Sequence, residues 1–284
     1  MPTFTNKATL SYNGKTTDSN TVTGNYTETL AITKTAVDES YVDGSRITYA
    51  VSLINSGLTP FTGLTVTDDL GGYPFNVTET LYPLTYVDGS VMLYVNGVLQ
   101  ASPSVDTTQP LAISGINVPA GGNALLIYQA DVNEYAPLDV DSSILNTVTA
   151  TGGGLTEPLT ATETVETLDE PNLSISKALC PTQVVENGAI TYTFVIQNSG
   201  NTAAIATDNV VVSDTFDPIL TITSVTLDGA PLAEGTGYTY DEATGEFATV
   251  AGVITVPAAT YTQQTDGSYA TSPGYVTLVV NGTI

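Results

Sequence analysis

The chain has 284 residues and is 42% hydrophobic, enough length for one large or two ordinary domains and enough apolar content to bury a core. Acidic residues number 29 against five basic ones, a net charge of −24, so the basic footprint that nucleic acid or an anionic membrane surface requires is missing. With no His and a single cysteine, Cys180, an intrachain disulfide is ruled out and the usual imidazole-based catalytic and metal centres have no ligands.

Thr, Val, Tyr and Ile recur throughout, punctuated at short intervals by Gly, Pro, Asn and Asp, and no window holds a helical period. The fold class expected is all-β. The start, "MPTFTNKATL", has neither a basic n-region nor an apolar h-region, so no signal peptide is expected in this chain. No run is long and apolar enough for a membrane-spanning helix. A lone cysteine such as Cys180 is most often buried.

Residues 1–28 read as a β-hairpin. Phe4, Asn6, Ala8 and Leu10 alternate onto one face, and Asn13-Gly14 supplies turn chemistry. This pattern matches "ILNTVTAT", beginning at Ile144, where a domain is closing. Residues 29–168 then read as a complete sandwich, ending in a closing hairpin made by "ILNTVTAT" and "PLTATETVETL". Residues 169–284 repeat that unit. "LAITKTAVDESYVDGSRITYAVSLINSG" from Leu30 is matched by "LSISKALCPTQVVENGAITYTFVIQNSG" from Leu173. The offset is 143 residues at Lys34/Lys177 and at Asn55/Asn198, and 146 at Asp68/Asp214. The second copy reaches "GYVTLVVNGTI" with no closing hairpin after it. Strand spacing and unit size fit two tandem immunoglobulin-like β-sandwich domains, the second incomplete. The N-terminal hairpin is then expected to be a donor that completes the second unit of a neighbouring copy by β-strand addition, a head-to-tail contact that generates a filament; the other reading is a frayed or alternatively docked N-terminal arm.

The combination "LAITKTA", "GSRITYAVSLINSG", "LTVTDDL", "VPAGG" and "LNTVTAT" resembles the conserved-repeat family of bacterial surface proteins known as domain of unknown function eleven. The resemblance covers nearly the whole chain and extends, in layout, to clostridial spore-appendage subunits. It implies a structural role in a fibre or appendage on the cell or spore surface. The implied partners are copies of the same chain and an anchoring protein.

Four lysines are present, and two of them, Lys34 and Lys177, fall at matching repeat positions. Alternation places Lys34 with Leu30 and Ile32, Asp68 with Leu64 and Val66, and Asn146 with Ile144 and Val148, all facing the core of the first unit. Buried Lys can act as a neutral amine, and buried Asp can hold and shuttle a proton. Attack on the Asn side-chain amide then gives an isopeptide bond and ammonia, an arrangement similar to self-cross-linking immunoglobulin-like domains of Gram-positive surface proteins. The first unit would join Lys34 to Asn146 with Asp68 as catalyst. The second would join Lys177, with Asp214 as catalyst, to Asn6 of another chain. Asn20, beside Val22, competes with Asn6 for that role, and Asn6 is preferred because its strand opens the hairpin as Asn146 does. The other reading of each trio is a buried Lys–Asp ion pair hydrogen-bonded to Asn.

Apart from this self-directed chemistry no enzyme is expected, and no cofactor or metal. The alternative function is an adhesin or a carbohydrate- or calcium-binding surface module. "VDESYVDGS" and "TDDLGG" hint at calcium but lack EF-hand spacing, and turn chemistry accounts for them.

Overall fold

The computed structural model describes residues 3–25 and 29–284, so the outer ends of the 1–28 segment, residues 1–2 and 26–28, lie outside the described residues. The chain is all-β; among the described residues the one helical element is a 3₁₀ turn, Ala206–Asp208.

Strands β1 (Thr3–Asn6), β2 (Thr9–Tyr12), β3 (Lys15–Asp18) and β4 (Val22–Asn25) form one long hairpin. β1 pairs with β4 and β2 with β3. Asn13 and Gly14 both adopt positive φ, 45° and 73°, the backbone of a type I′ turn that only such residues adopt readily. Lys7 and Thr9 reach Asp18 at 2.7 Å on one face, which leaves Phe4, Asn6, Ala8 and Leu10 on the other. From Phe4 to Thr23 every side chain of the hairpin is exposed.

Unit one follows. Its main strands are β5 (Leu30–Ala36), β6 (Arg46–Asn55), β7 (Phe61–Asp68), β8 (Met92–Val95), β9 (Leu111–Val118), β10 (Asn123–Val132), β11 (Ser143–Gly152) and β12 (Leu159–Thr167). One sheet has the order β8–β10–β6–β5 and the other β9–β7–β11–β12, with short edge strands completing each. Period-two alternation drives Ile47, Tyr49, Val51 and Leu53 of β6, and Leu126, Tyr128 and Ala130 of β10, into the space between the sheets. There they meet Leu64 and Val66 of β7 and Val148 and Ala150 of β11 in one continuous core, the packing of an immunoglobulin-like sandwich.

Unit two comprises β13 (Leu173–Cys180), β14 (Ala189–Asn198), β15 (Ser213–Thr215), β16 (Thr221–Leu227), β17 (Tyr238–Asp241), β18 (Glu246–Thr249), β19 (Thr260–Gln263), β20 (Tyr269–Ser272) and β21 (Gly274–Thr283). The sheet β13–β14–β21–β16 reproduces β5–β6–β10–β8 of unit one. The facing sheet stops at three strands, β15–β18–β17, the counterparts of β7, β9 and the Ser104–Asp106 edge strand. Among the described residues no strand of unit two stands where β11 and β12 stand in unit one. Unit two has its own core, centred on Ile190, Phe194, Phe216, Val225, Phe247 and Leu278.

The strand that carries Asp214 is shorter than the one that carries Asp68. β7 is paired on both sides, by β9 and β11, and runs for eight residues. "NVVVSDTF" patterns as an equally long strand, yet only Ser213–Thr215 forms one, paired on one side by β18.

Candidate functional site

In unit one β5 delivers Lys34, β7 delivers Asp68 and β11 delivers Asn146, each on the inward side of its strand. The Lys34 Nζ lies 2.8 Å from Asp68 Oδ2, and both side chains are removed from solvent, 0% and 1% exposed. Asp68 is held from three directions. Its Oδ1 accepts the Leu70 N–H at 2.7 Å, and its Oδ2 also takes a hydrogen bond from the Tyr128 hydroxyl. The Lys34 ammonium sits over the Tyr49 ring, 4.6 Å from its centroid. Burial pushes Lys34 below the ordinary lysine range; Asp68 opposes the shift most strongly, with smaller contributions from Asp69 and Glu163. Burial likewise raises the Tyr128 phenol well above its usual value, reinforced by Asp68.

Asn146 completes the group. Its side chain is fully buried, and neither Oδ1 nor Nδ2 has a hydrogen-bond partner. The Tyr49 phenol is raised by burial, and the Asn146 amide beside it acts the other way without forming a well-shaped hydrogen bond. An orphaned primary amide in a core costs about 1–3 kcal/mol per unsatisfied group. Tyr49, beside the Asn146 amide, also carries the Lys34 ammonium over its ring. The register fixes its place: Val148 pairs with Asp68, so Asn146 lies one inward position further along β11. Glu163 of β12 is directly across from it.

Unit two presents the same amine and carboxyl in a different setting. Lys177 Nζ is in contact with Asp214 Oδ2, and Asp214 Oδ1 accepts the Thr215 N–H at 2.9 Å. The two side chains are 40% and 17% exposed. β11 and β12 roof the unit-one pair, and among the described residues no strand roofs the second. Lys177 lies 4.6 Å from the Tyr192 ring centroid and 5.5 Å from those of Phe194 and Phe216. Ile175, Lys177 and Leu179, the counterparts of the inward-facing Ile32, Lys34 and Ala36 of β5, are exposed here.

The N-terminal hairpin is built like the missing roof. Asn146 pairs with Glu163, seventeen positions on, and Asn6 with Val22, sixteen positions on. In sequence, Phe4, Asn6, Ala8 and Leu10 correspond to Ile144, Asn146, Val148 and Ala150. Within this chain Asn6 is exposed and is not brought to Lys177 or Asp214. Asn20 lies outside the strands, between β3 and β4, with its carbonyl accepting from Ser19 at 2.8 Å.

Two features were not read from the sequence. Tyr128 was not singled out, although the alternation of "NALLIYQADV" turns it inward with Leu126 and Ala130, where a phenol needs a partner. Cys180 is exposed rather than buried, because it ends β13 at the open edge of its sheet. Among the described residues no group of three or more acidic or Cys side chains is arranged to hold a metal ion, and no helix is long and apolar enough to cross a membrane.

Neither a protein-family model nor a curated protein matches the chain. Among solved structures it is similar to the major pilin subunit BcpA of Bacillus cereus, at 13% identity and a TM-score of 0.37, covering 96% of this chain and 73% of that one. It is similar to the pilus backbone RrgB from Streptococcus pneumoniae at 15% identity and a TM-score of 0.35, covering 90% of this chain. The chain spans half the length of that protein's structure. A collagen-binding domain from a Staphylococcus aureus adhesin matches 49% of this chain at 11% identity and a TM-score of 0.31, over 99% of that domain.

Proposed function

We propose that the chain is a structural subunit that polymerises head to tail into a surface fibre, its N-terminal hairpin completing unit two of the next copy. The resemblance to the conserved-repeat surface family and to spore-appendage subunits supports a place on the bacterial cell or spore exterior. The observation that carries the reading is the contrast between the two units. The same Lys–Asp pair is sealed under an Asn-bearing hairpin in unit one and lies open in unit two. A hairpin of matching length, face and Asn position stands at the other end of the chain.

Folding back is disfavoured by reach. Residues 26–29, which tie the hairpin to β5, span at most about 14 Å when extended. The ten residues of β6 alone make unit one roughly 33 Å long. Unit two lies beyond it.

The chemistry at each centre is an amide exchange. The lysine ammonium passes a proton to the aspartate and becomes an amine. Nζ attacks the Asn Cγ, the carbonyl polarised by the protonated aspartic acid. The Cγ–Nδ2 bond breaks and the nitrogen leaves as ammonia, taking up the one proton that the attacking amine gives up, while the aspartic acid keeps the other. Lys34 and Asn146 form the bond within unit one, assisted by Asp68. Lys177 and Asn6 form it between chains, assisted by Asp214. No outside reagent is consumed, and each bond removes the mass of one ammonia.

The test of the assembly mode is removal of residues 1–28. The shortened chain is expected to stay monomeric at concentrations where the full chain forms filaments. Filaments from the shortened chain would overturn the donor-hairpin reading.

A further inference from the structure

Unit two carries an insertion that unit one lacks. Gly122 follows Pro119 by three positions, through a tight turn whose Gly121 N–H bonds the Gly57 carbonyl at 2.9 Å. At the matching place in unit two, Gly274 follows Pro257 by seventeen positions. The extra residues form the β19–β20 hairpin, and it grips unit one. The Tyr269 N–H donates to the Glu134 carbonyl at 2.7 Å, and Gln263 Nε2 lies 3.4 Å from the Tyr73 hydroxyl. Gly267 at the tip approaches so closely that an added Cβ would fall 2.2 Å from the Leu81 side chain. Tyr261 packs against the core of unit one while its hydroxyl donates to the Ser199 carbonyl at 2.9 Å. A second tie runs through the linker. Asn201 donates to Asp169 Oδ1 at 2.5 Å, and the same carboxylate accepts from Thr167 and from the Asp141 N–H. In unit one the position matching Asn201 is Leu58, an exposed apolar side chain that cannot make this bond.

We propose that the β19–β20 hairpin is a brace that joins the two units into one rigid rod, so that a fibre of these chains bends between subunits and not within them. Domains joined by a short linker move relative to one another unless a specific interface holds them. The joint inside the chain has such an interface. The joint between chains would set unit one, with its Pro119–Gly122 turn and Leu58, against the preceding unit two. Neither the brace nor the Asn201 tie has a counterpart there. The second half of the proposal rests on the donor-hairpin reading; the first half does not.

The test has two arms. In the first, small-angle scattering of the full chain in dilute solution is compared with that of a variant whose residues 259–272 are replaced by Gly-Gly. Leu81→Lys serves as a second variant, since it unseats the hairpin tip from unit one without touching the hairpin's own pairing. The brace predicts an intraparticle distance distribution with one sharply defined maximum dimension for the unaltered chain and a smeared one for both variants. Unchanged profiles in folded variants would overturn it. In the second arm, bends along negatively stained filaments should recur at intervals of one subunit, with additional mid-subunit bends in the variants. Bends at mid-subunit as often as at joints in the unaltered fibre would overturn the articulated fibre. Absence of filaments would count against the donor-hairpin reading and the fibre half, while the scattering arm still decides on the brace.

Discussion

Leu10 offers a quantitative test of which face of the hairpin docks. It is 61% exposed in the hairpin, and the proposed docking would give it the place of Ala150, which is fully buried in unit one. Ala150 pairs with Val66, so the same register sets Leu10 beside Val212 of the receiving copy. Complete burial of a leucine is worth about 1.5–3 kcal/mol. Covering six-tenths of that surface therefore contributes roughly 1–2 kcal/mol to docking, which Leu10→Ala would forfeit. The loss corresponds to about 5–30-fold weaker association. The assay is the concentration threshold for assembly, followed by sedimentation velocity in a Lys177→Ala background where no covalent bond can trap the contact. Leu10→Ala should raise the threshold by that factor, and Leu10→Asp should abolish assembly. Ser11→Ala, one residue along and on the opposite face, should change it by no more than about twofold, as a solvent-side substitution does. Equal effects from Leu10→Ala and Ser11→Ala, or a larger one from Ser11→Ala, would refute the register.

Asp68→Ala should prevent ammonia loss from unit one and leave the Lys34 charge buried without a partner. A cost of about 3–5 kcal/mol is expected, read as a large fall in the thermal unfolding midpoint. Tyr128→Phe removes the phenol that holds Asp68, and should slow internal bond formation, followed by intact mass, without preventing folding. In an Asn146→Ala chain, which cannot form the internal bond, pH acts with two signs. Lys34 is lowered by burial, so the unfolded state binds the extra proton and stability rises with pH up to the free-lysine value of about 10.4. The phenols of Tyr41, Tyr49 and Tyr128 are raised, so their contribution is complete below about pH 10 and is lost as pH climbs toward their folded values. Chemical denaturation across this range should show the gain vanish in Lys34→Met while the alkaline loss remains.

Much of the fold was legible because both sheets of unit one obey strict alternation. "RITYAVSLIN" and "NALLIYQADV" announce their buried faces directly, and the repeat doubles the signal. The same parity places Lys34, Asp68 and Asn146 on core faces, where charged and amide groups are conspicuous. Strand length in unit two was not legible in this way. Val210 and Val212 pattern as strand, yet regular pairing there is confined to Ser213–Thr215. Tyr128 was missed because an inward tyrosine reads as ordinary core until its hydroxyl is seen on Asp68. The β19–β20 insertion is visible as extra length between Pro257 and Gly274, yet its grip on Glu134 and Leu81 is a tertiary contact with no periodic signature.

The central claim is that Asn6 of one chain closes, and is bonded to, the Lys177 centre of another. Assembled material boiled in detergent and reductant, digested, and analysed by tandem mass spectrometry tests it most directly. A branched peptide joining Lys177 to Asn6, lighter than its two parts by one ammonia and absent from an Asn6→Ala assembly, is the predicted result. Chains that separate completely on boiling into monomers of full, ammonia-retaining mass would contradict it.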